Sequence, residues 1–303
     1  MKRRVRASAF TIVELMVVIA IIALLMGMLF PALSSVMQNA RAAKSMSNLR
    51  QWGIGTMTYA NINRETLPWE GLKSANEIGT NFQESSWWAN AIPPFVGEPP
   101  YGELVEMANQ MGVDVPVPTD SKSIFVDPGA ELSANAPWTV TSPQTGEKLQ
   151  FFFCYVPNAQ LNNTREEQIK QRLINSGMGN NQASALASFQ SSMRLHMISD
   201  PARTVLMLEM RTVDHEVPTN DPFRGKQLSR HRSDWKRFAA RHFGGGHMLF
   251  ADGRVELKVN REVTRPRDKQ GFIIPPDENG NWPSDTDWNT SGVIWDPLGP
   301  ALD

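Results

Sequence analysis

FTIVELMVVIAIIALLMGMLFPAL, residues 10–33, is the stretch that decides the fold of this chain. Among its 24 residues, Thr11 and Glu14 are the only clearly polar members. A helix of that length extends about 36 Å, which is enough to cross the roughly 30 Å hydrocarbon core of a bilayer. The stretch therefore predicts one transmembrane helix at 10–33.

Four basic residues precede this helix: Lys2, Arg3, Arg4 and Arg6. Basic residues beside a membrane span stay on the cytoplasmic side. We therefore expect residues 1–9 in the cytoplasm and the chain beyond the helix outside. This topology predicts a single-pass protein of the inner membrane, in contact with lipid, whose C-terminal domain is periplasmic or displayed on an extracellular filament.

Glu14 is an unusual residue for a simple membrane anchor. A carboxylate within a membrane-spanning helix costs about 2.5–3.5 kcal/mol on insertion scales, so it usually has a partner or a task. The helix macrodipole offsets only about 0.3–1 kcal/mol of this in the first turn. The positive amino terminus of a neighbouring subunit could supply the rest. The alternative is a plain signal anchor in which Glu14 lies at the headgroup level.

The order of these residues resembles the type IV prepilin signal, which has a short basic leader, a small residue, Phe, and Glu at the fifth position after the cut. The resemblance implies cleavage by a prepilin peptidase between Ala9 and Phe10, followed by N-methylation of Phe10. Glu14 then becomes residue five of the mature chain. Pro31 matches the position at which pilins commonly carry a helix-bending proline. Ala9 departs from the pattern, because glycine is usual there.

The apolar pattern continues beyond the membrane as a stripe with separations of three and four residues. It predicts an amphipathic stem helix at 34–61, followed by an extracytoplasmic domain at 62–303. The resemblance to pilins implies an α+β fold in which the long N-terminal helix packs on an antiparallel β-sheet. The 21 prolines and 9 tryptophans of the chain favour loop-rich insertions in that domain.

A second resemblance is carried by SMSNLRQ at 45–51 and by the motif His242-x9-Asp252-Gly253. Both look like a pilin-like family abundant in planctomycete and verrucomicrobial bacteria. Members often have cysteine at the position of Ser45 and Cys-Pro at that of Asp127-Pro128. Any disulfide that those members form is therefore absent here.

Cys154 is the only cysteine of the chain, so no internal disulfide is possible. It lies in the hydrophobic run 150–156, and we expect it to be a small buried residue.

Asp252-Gly253 separates two strand-like runs, 246–251 and 254–259. Asp-Gly is favoured in two-residue type I′ turns, in which both central residues need a positive φ. We therefore predict an antiparallel hairpin in which Phe250 lies opposite Val255.

His242, His247 and Asp252 are candidate metal ligands. Imidazole and carboxylate both bind transition metals, and the glycines at 244–246 allow the backbone to fold tightly around an ion. Calcium suits this set poorly, because it prefers oxygen ligands. The competing interpretation gives His242 a structural hydrogen bond to a backbone carbonyl in the glycine turn. We favour structural roles and expect neither a metal nor another cofactor.

Composition gives little support for a polyanion partner. Without the leader, 26 basic side chains face 31 acidic ones. The segment 224–242 is rich in Arg and Lys, with Trp235 and Phe238 interleaved, which is one pattern of nucleic-acid surfaces. We favour a solvated, flexible segment and regard nucleic acid as an unlikely partner.

These patterns predict a structural subunit of a type IV pilus-like or type II secretion pseudopilus filament. Its expected partners are prepilin peptidase, other pilin or pseudopilin subunits and the inner-membrane assembly platform. The alternative is a membrane-anchored module that binds metal, glycan or nucleic acid and uses the prepilin signal only for anchoring. The tryptophans, Trp87-Trp88 among them, could stack on sugars, although such residues more often fill a core.

An extracytoplasmic enzyme is a further alternative, with His242, His247 and Asp252 as its best candidates. The sequence contains no Gly-x-Ser-x-Gly, phosphate-loop, His-Glu-x-x-His or Cys-x-x-Cys motif. We therefore expect that the protein is not an enzyme.

Overall fold

The computed structural model describes residues 12–71, 84–111, 123–131, 139–141, 148–150, 153–226, 228, 231–278, 281–283 and 286–299. The chain divides into two compact units, residues 1–43 and 44–303. The α-helices are α1 (Ile12–Ile62), α2 (Trp88–Ala91), α3 (Tyr101–Met111), α4 (Asn163–Asn175), α5 (Asn180–Gln190) and α6 (Asn260–Val263). The strands are β1 (Thr139–Thr141), β2 (Lys148–Gln150), β3 (Tyr155–Pro157), β4 (Val205–Glu209), β5 (Gly245–Phe250) and β6 (Val255–Val259).

The first unit contains the membrane-spanning candidate predicted from the sequence. α1 is one uninterrupted helix of 51 residues, and it is long and apolar enough to cross a membrane. Glu14 lies in its first turn. The helix continues through Pro31 without a break, and the bend predicted there stays a prediction. The predicted cleavage site between Ala9 and Phe10 lies outside the described residues.

The second unit is built on a four-stranded antiparallel sheet with the order β3-β4-β5-β6. β1 and β2 form a separate two-stranded pair. All residues of the central strands β4 and β5 are buried, which explains why β4 appears in the sequence as an almost continuous apolar run. The predicted α+β architecture, with a long helix and an antiparallel sheet, is confirmed.

The hairpin of β5 and β6 is present, but its predicted register is wrong by one residue. Leu249, not Phe250, pairs with Val255. The Phe250 N–H donates to the Arg254 carbonyl at 2.9 Å, and Gly253 has a φ of +86°. This is a three-residue loop, in which a type I turn is followed by a left-handed glycine. Such a loop needs a positive φ only at Gly253, so the conformation required by a type I′ turn is avoided.

Aromatic side chains fill the core of the second unit. The ring centroid of Trp52, which belongs to α1, is 5.3 Å from the ring centroid of Trp88 and 5.0 Å from the ring centroid of Phe125. Trp87 and Trp295 are also almost completely buried. The core role favoured for Trp87, Trp88 and Trp295 is therefore confirmed, and these four rings do not offer a surface on which a sugar could stack.

Candidate functional site

Six polar side chains meet inside the second unit, and each is at most 4 % exposed. They come from six separate parts of the chain: Ser45 from α1, Asp127 from the turn at 123–131, Tyr155 from β3, Glu209 from β4, His247 from β5 and His242 from the turn before β5. We call these six residues the buried cluster.

The serine hydroxyl lies at the centre of the oxygen atoms in the buried cluster. Ser45 Oγ is 2.6 Å from Asp127 Oδ2 and 3.0 Å from the Tyr155 hydroxyl, and it also contacts Glu209 Oε1. Tyr155 and Glu209 are brought together by the sheet, because they are paired residues of neighbouring strands.

The two histidines face the same carboxylates. His247 Nδ1 lies 2.6 Å from Glu209 Oε1. His242 Nε2 lies 3.1 Å from Asp127 Oδ2 and 3.7 Å from Glu209 Oε2. The ring centroids of the two histidines are 5.2 Å apart. One donor atom from each of Glu209, His242 and His247 can be chosen so that all three lie within 4.8 Å of one another.

Glycines let the backbone approach the buried cluster closely. The backbone groups of His242 and Gly245 exchange two hydrogen bonds of 2.9 Å, and Gly244 between them has a φ of +77°. A Cβ on Gly245 would lie 2.1 Å from the Lys258 carbonyl oxygen, and one on Gly246 would lie 3.0 Å from Glu209 Oε2. The tight glycine turn predicted from the sequence is therefore present, and it places His242 beside the sheet.

A buried arginine neighbours the cluster. Arg241 Nη1 lies 3.8 Å from Asp127 Oδ2, and Arg241 Nη2 lies closer, at 3.1 Å, to Glu216 Oε1. Burial works against the charged guanidinium, but Glu216 and Asp127 hold the pKa of Arg241 well above its usual range. Burial likewise works against ionised Asp127, yet Arg241 and His242 hold its pKa well below the usual range. These groups are ionised in the folded protein.

The pKa of His242 reflects opposing influences. Burial lowers it, whereas the hydrogen bond to Asp127 and the charge of Glu209 raise it, and the net shift is upward. The ring therefore takes up a proton more readily than a free imidazole does.

The structure does not bring the three candidate ligands His242, His247 and Asp252 together. Asp252 lies in the hairpin turn, is exposed, and accepts a hydrogen bond from the Arg254 N–H at 3.0 Å. Asp252 lies five residues after His247, which corresponds to roughly 16 Å along an extended strand. The carboxylate that joins the two histidines is Glu209 instead. The signal in the sequence that could have identified Glu209 is its position as a lone acidic residue at the end of an apolar strand.

The structural hydrogen bond expected for His242 also differs. Its backbone N–H bonds to a carbonyl of the glycine turn, but the ring contacts the Asp127 carboxylate.

The basic segment at 224–242 is not simply a solvated stretch. Arg232 is 6 % exposed and lies 3.2 Å from Glu70, and Arg241 is held as described above. Lys236 and Arg237 both pair with Asp234. Internal carboxylates thus neutralise several of the cations that a nucleic-acid surface would need to display.

Cys154 is fully buried, as predicted. Burial raises the pKa of its thiol to about 12. A thiolate, which is the nucleophilic form, is therefore strongly disfavoured at neutral pH.

Comparison with known proteins identifies the N-terminal signal. Residues 4–30 match the family model of the prokaryotic N-terminal methylation motif. No curated protein and no solved structure shows a significant match to the chain. The chain thus has a prepilin-type signal, which implies processing by a prepilin peptidase, and a pilin-like arrangement of one long helix followed by an antiparallel sheet.

Proposed function

We propose that this protein is a structural subunit of a type IV pilus-like or type II secretion pseudopilus filament, processed between Ala9 and Phe10. The observation that carries the proposal is the methylation motif at 4–30, which begins the helix on which the α+β domain is built. In this proposal the N-terminus is cytoplasmic, and the domain lies outside the inner membrane.

The exposed surface of α1 supports an assembly role. The large apolar side chains of residues 12–30 are 44–77 % exposed in the single chain, so lipid or other helices must cover them in water. Lipid covers them before assembly, and the corresponding helices of neighbouring subunits cover them in the filament.

Glu14 gives this assembly its register. Its carboxylate pairs with the methylated amino terminus of Phe10 on an adjacent subunit, which neutralises both charges inside the apolar bundle. Only one axial offset between subunits brings the two groups together, so the pair confers specificity as well as stability.

The test is mass spectrometry of the N-terminal peptide from the native membrane. The expected peptide begins with N-methylated Phe10, and a strain without prepilin peptidase should retain Met1 and the leader. A native protein that still begins at Met1 would overturn the proposal.

The alternative, a membrane-anchored module that binds glycan or nucleic acid, has less support. Trp87, Trp88 and Trp295 are buried, and cations of the basic segment are paired with internal carboxylates. Binding of a metal is a separate matter, because an internal ion is compatible with a filament subunit.

A further inference from the structure

We propose that Glu209, His242 and His247 bind one divalent transition-metal ion, for which Zn²⁺ is the best chemical match. Two imidazole nitrogens and a carboxylate form a common protein ligand set for zinc. Calcium and magnesium prefer sites made of oxygen alone. This inference goes beyond the proposed function and does not depend on filament assembly.

The three ligands already bring their donor atoms within 4.8 Å of one another. Zinc binds nitrogen and carboxylate oxygen at about 2.0–2.2 Å, which places tetrahedral donors roughly 3.3 Å apart. The 3.7 Å between His242 Nε2 and Glu209 Oε2 and the 2.6 Å between His247 Nδ1 and Glu209 Oε1 lie on either side of this value. Asp127 Oδ2 lies 3.1 Å from His242 Nε2 but outside the group of three, so it would have to shift toward the ion to serve as the fourth donor.

A buried carboxylate oxygen of Glu209 points independently to a cation. Ser45 has one hydroxyl proton, but its oxygen contacts both Asp127 Oδ2 and Glu209 Oε1. That proton can serve only one of the two carboxylates. If it serves Glu209, Asp127 Oδ2 still has the Tyr155 hydroxyl at 3.4 Å and His242 Nε2 at 3.1 Å as donors. In addition, Glu209 Oε2 is fully buried and has no hydrogen-bond partner among the described residues. A buried carboxylate oxygen without a donor is costly, and a metal ion would satisfy it.

The charges around the site leave room for a dication. Asp127 and Glu209 contribute two carboxylates to the buried cluster. Arg241 is the cation nearest to Asp127 in the described part of the chain, but its closer ion pair is with Glu216. When the two histidines bind the ion as neutral ligands, the two carboxylates supply the negative charge that balances a divalent ion.

The burial of the ligands assigns the ion a structural role. Glu209, His242 and His247 are at most 4 % exposed, and three pockets in the described part of the chain are lined by other residues. Closed zinc sites stabilise folds, whereas catalytic sites keep a position open to substrate. Here the ion would link β4, β5 and the glycine turn. This proposal departs from the expectation stated above, which favoured structural roles and no metal.

The experiment uses the full-length protein, purified in detergent and stripped with a chelator. Zn²⁺ is added during calorimetry, and Co²⁺ is added in parallel for its visible absorption spectrum. We expect one ion per chain, a Co²⁺ spectrum of a four-coordinate site, and a higher midpoint of thermal unfolding with Zn²⁺. Glu209→Gln, His242→Gln and His247→Gln should each weaken Zn²⁺ binding at least tenfold.

His196→Gln is the matched control, because His196 also lies against a carboxylate, Glu65, at 2.5 Å, but is exposed and has no described third ligand. It should leave the affinity for Zn²⁺ unchanged. Should a ligand variant fail to fold, the wild-type titrations decide alone. A stripped wild-type protein that binds no Zn²⁺ and leaves Co²⁺ with its aqueous spectrum would overturn the proposal, as would unchanged affinity in all three folded ligand variants.

Discussion

Ser45 Oγ lies 2.6 Å from Asp127 Oδ2, which joins α1 to a turn 82 residues further along the chain. Two more side chains of the helix reach the same segment. Asn48 donates to the Val126 carbonyl at 3.0 Å, and Trp52 donates to that of Ile124 at 2.9 Å. The three donors are spaced three and four residues apart and so share one face of the helix. The stem of α1 is therefore attached to the domain by hydrogen bonds as well as by packing.

Replacing Ser45 with Ala should destabilise the domain by about 1.5–3 kcal/mol, because it removes a buried hydrogen bond between a hydroxyl and a carboxylate. Urea unfolding of the detergent-purified protein, followed by tryptophan fluorescence, measures this change. Ser47→Ala is the matched control, since Ser47 is exposed on the same helix. Its effect should stay within about 0.5 kcal/mol. Equal effects of the two substitutions would contradict the role given to Ser45.

Cysteines at positions 45 and 127 should form a disulfide. The proteins that this sequence resembles often have cysteines at both positions, and the two side chains are in direct contact here. After oxidation, the Ser45→Cys/Asp127→Cys variant should contain one free thiol, that of Cys154, when titrated in denaturant. Each single variant should retain two. Three titratable thiols in the oxidised double variant would show that the geometry does not allow the bridge.

Glu14→Leu should insert into the membrane normally but assemble poorly. The substitution removes an insertion cost of about 2.5–3.5 kcal/mol together with the partner of the adjacent amino terminus. Membrane fractionation reports insertion, and sheared-filament yield reports assembly. Met16→Leu, an apolar exchange in the same part of α1, should assemble as wild type. Wild-type filament yield from the Glu14 variant would exclude the proposed pairing.

The Cys154 thiol should not react with thiol reagents in the folded protein at pH 8, and it should react completely in urea. Its pKa is raised from 9.0 to about 12 by burial, so the unfolded chain ionises first. The corresponding stability is fully present below about pH 9 and is lost as the pH rises toward 12. Rapid labelling of Cys154 under native conditions would contradict this prediction, because it would show that the core around Cys154 opens to solvent. Cys154→Ala should flatten this alkaline decrease.

The sequence predicted most of the fold because the relevant signals are local. The apolar stretch at 10–33 predicted the helix from its composition, and the stripe beyond it predicted the continuation to about residue 61. The register of the β5–β6 hairpin was missed by one residue, because Asp-Gly fits both a two-residue loop and a three-residue loop. Only the surrounding contacts select between them.

The buried cluster could be predicted only in part. His242 and His247 are close in sequence and flank a glycine turn, so their proximity was foreseeable. Glu209 and Asp127 reach them from 33 and 115 residues before His242, through strand pairing and a distant turn. A single sequence does not show which residues that are distant along the chain come into contact. Asp252 was chosen in their place because it is near in sequence.

The separation of the cluster residues along the chain has a consequence for biogenesis. Ser45 and Glu209 are 164 positions apart, and the histidines follow only after a further stretch that leads to β5. The carboxylates of Asp127 and Glu209 therefore stay exposed to water, and β4 stays without its partner β5, until almost the whole domain has been synthesised. Contacts of such long range slow folding, which makes the partly synthesised domain a substrate for chaperones and proteases.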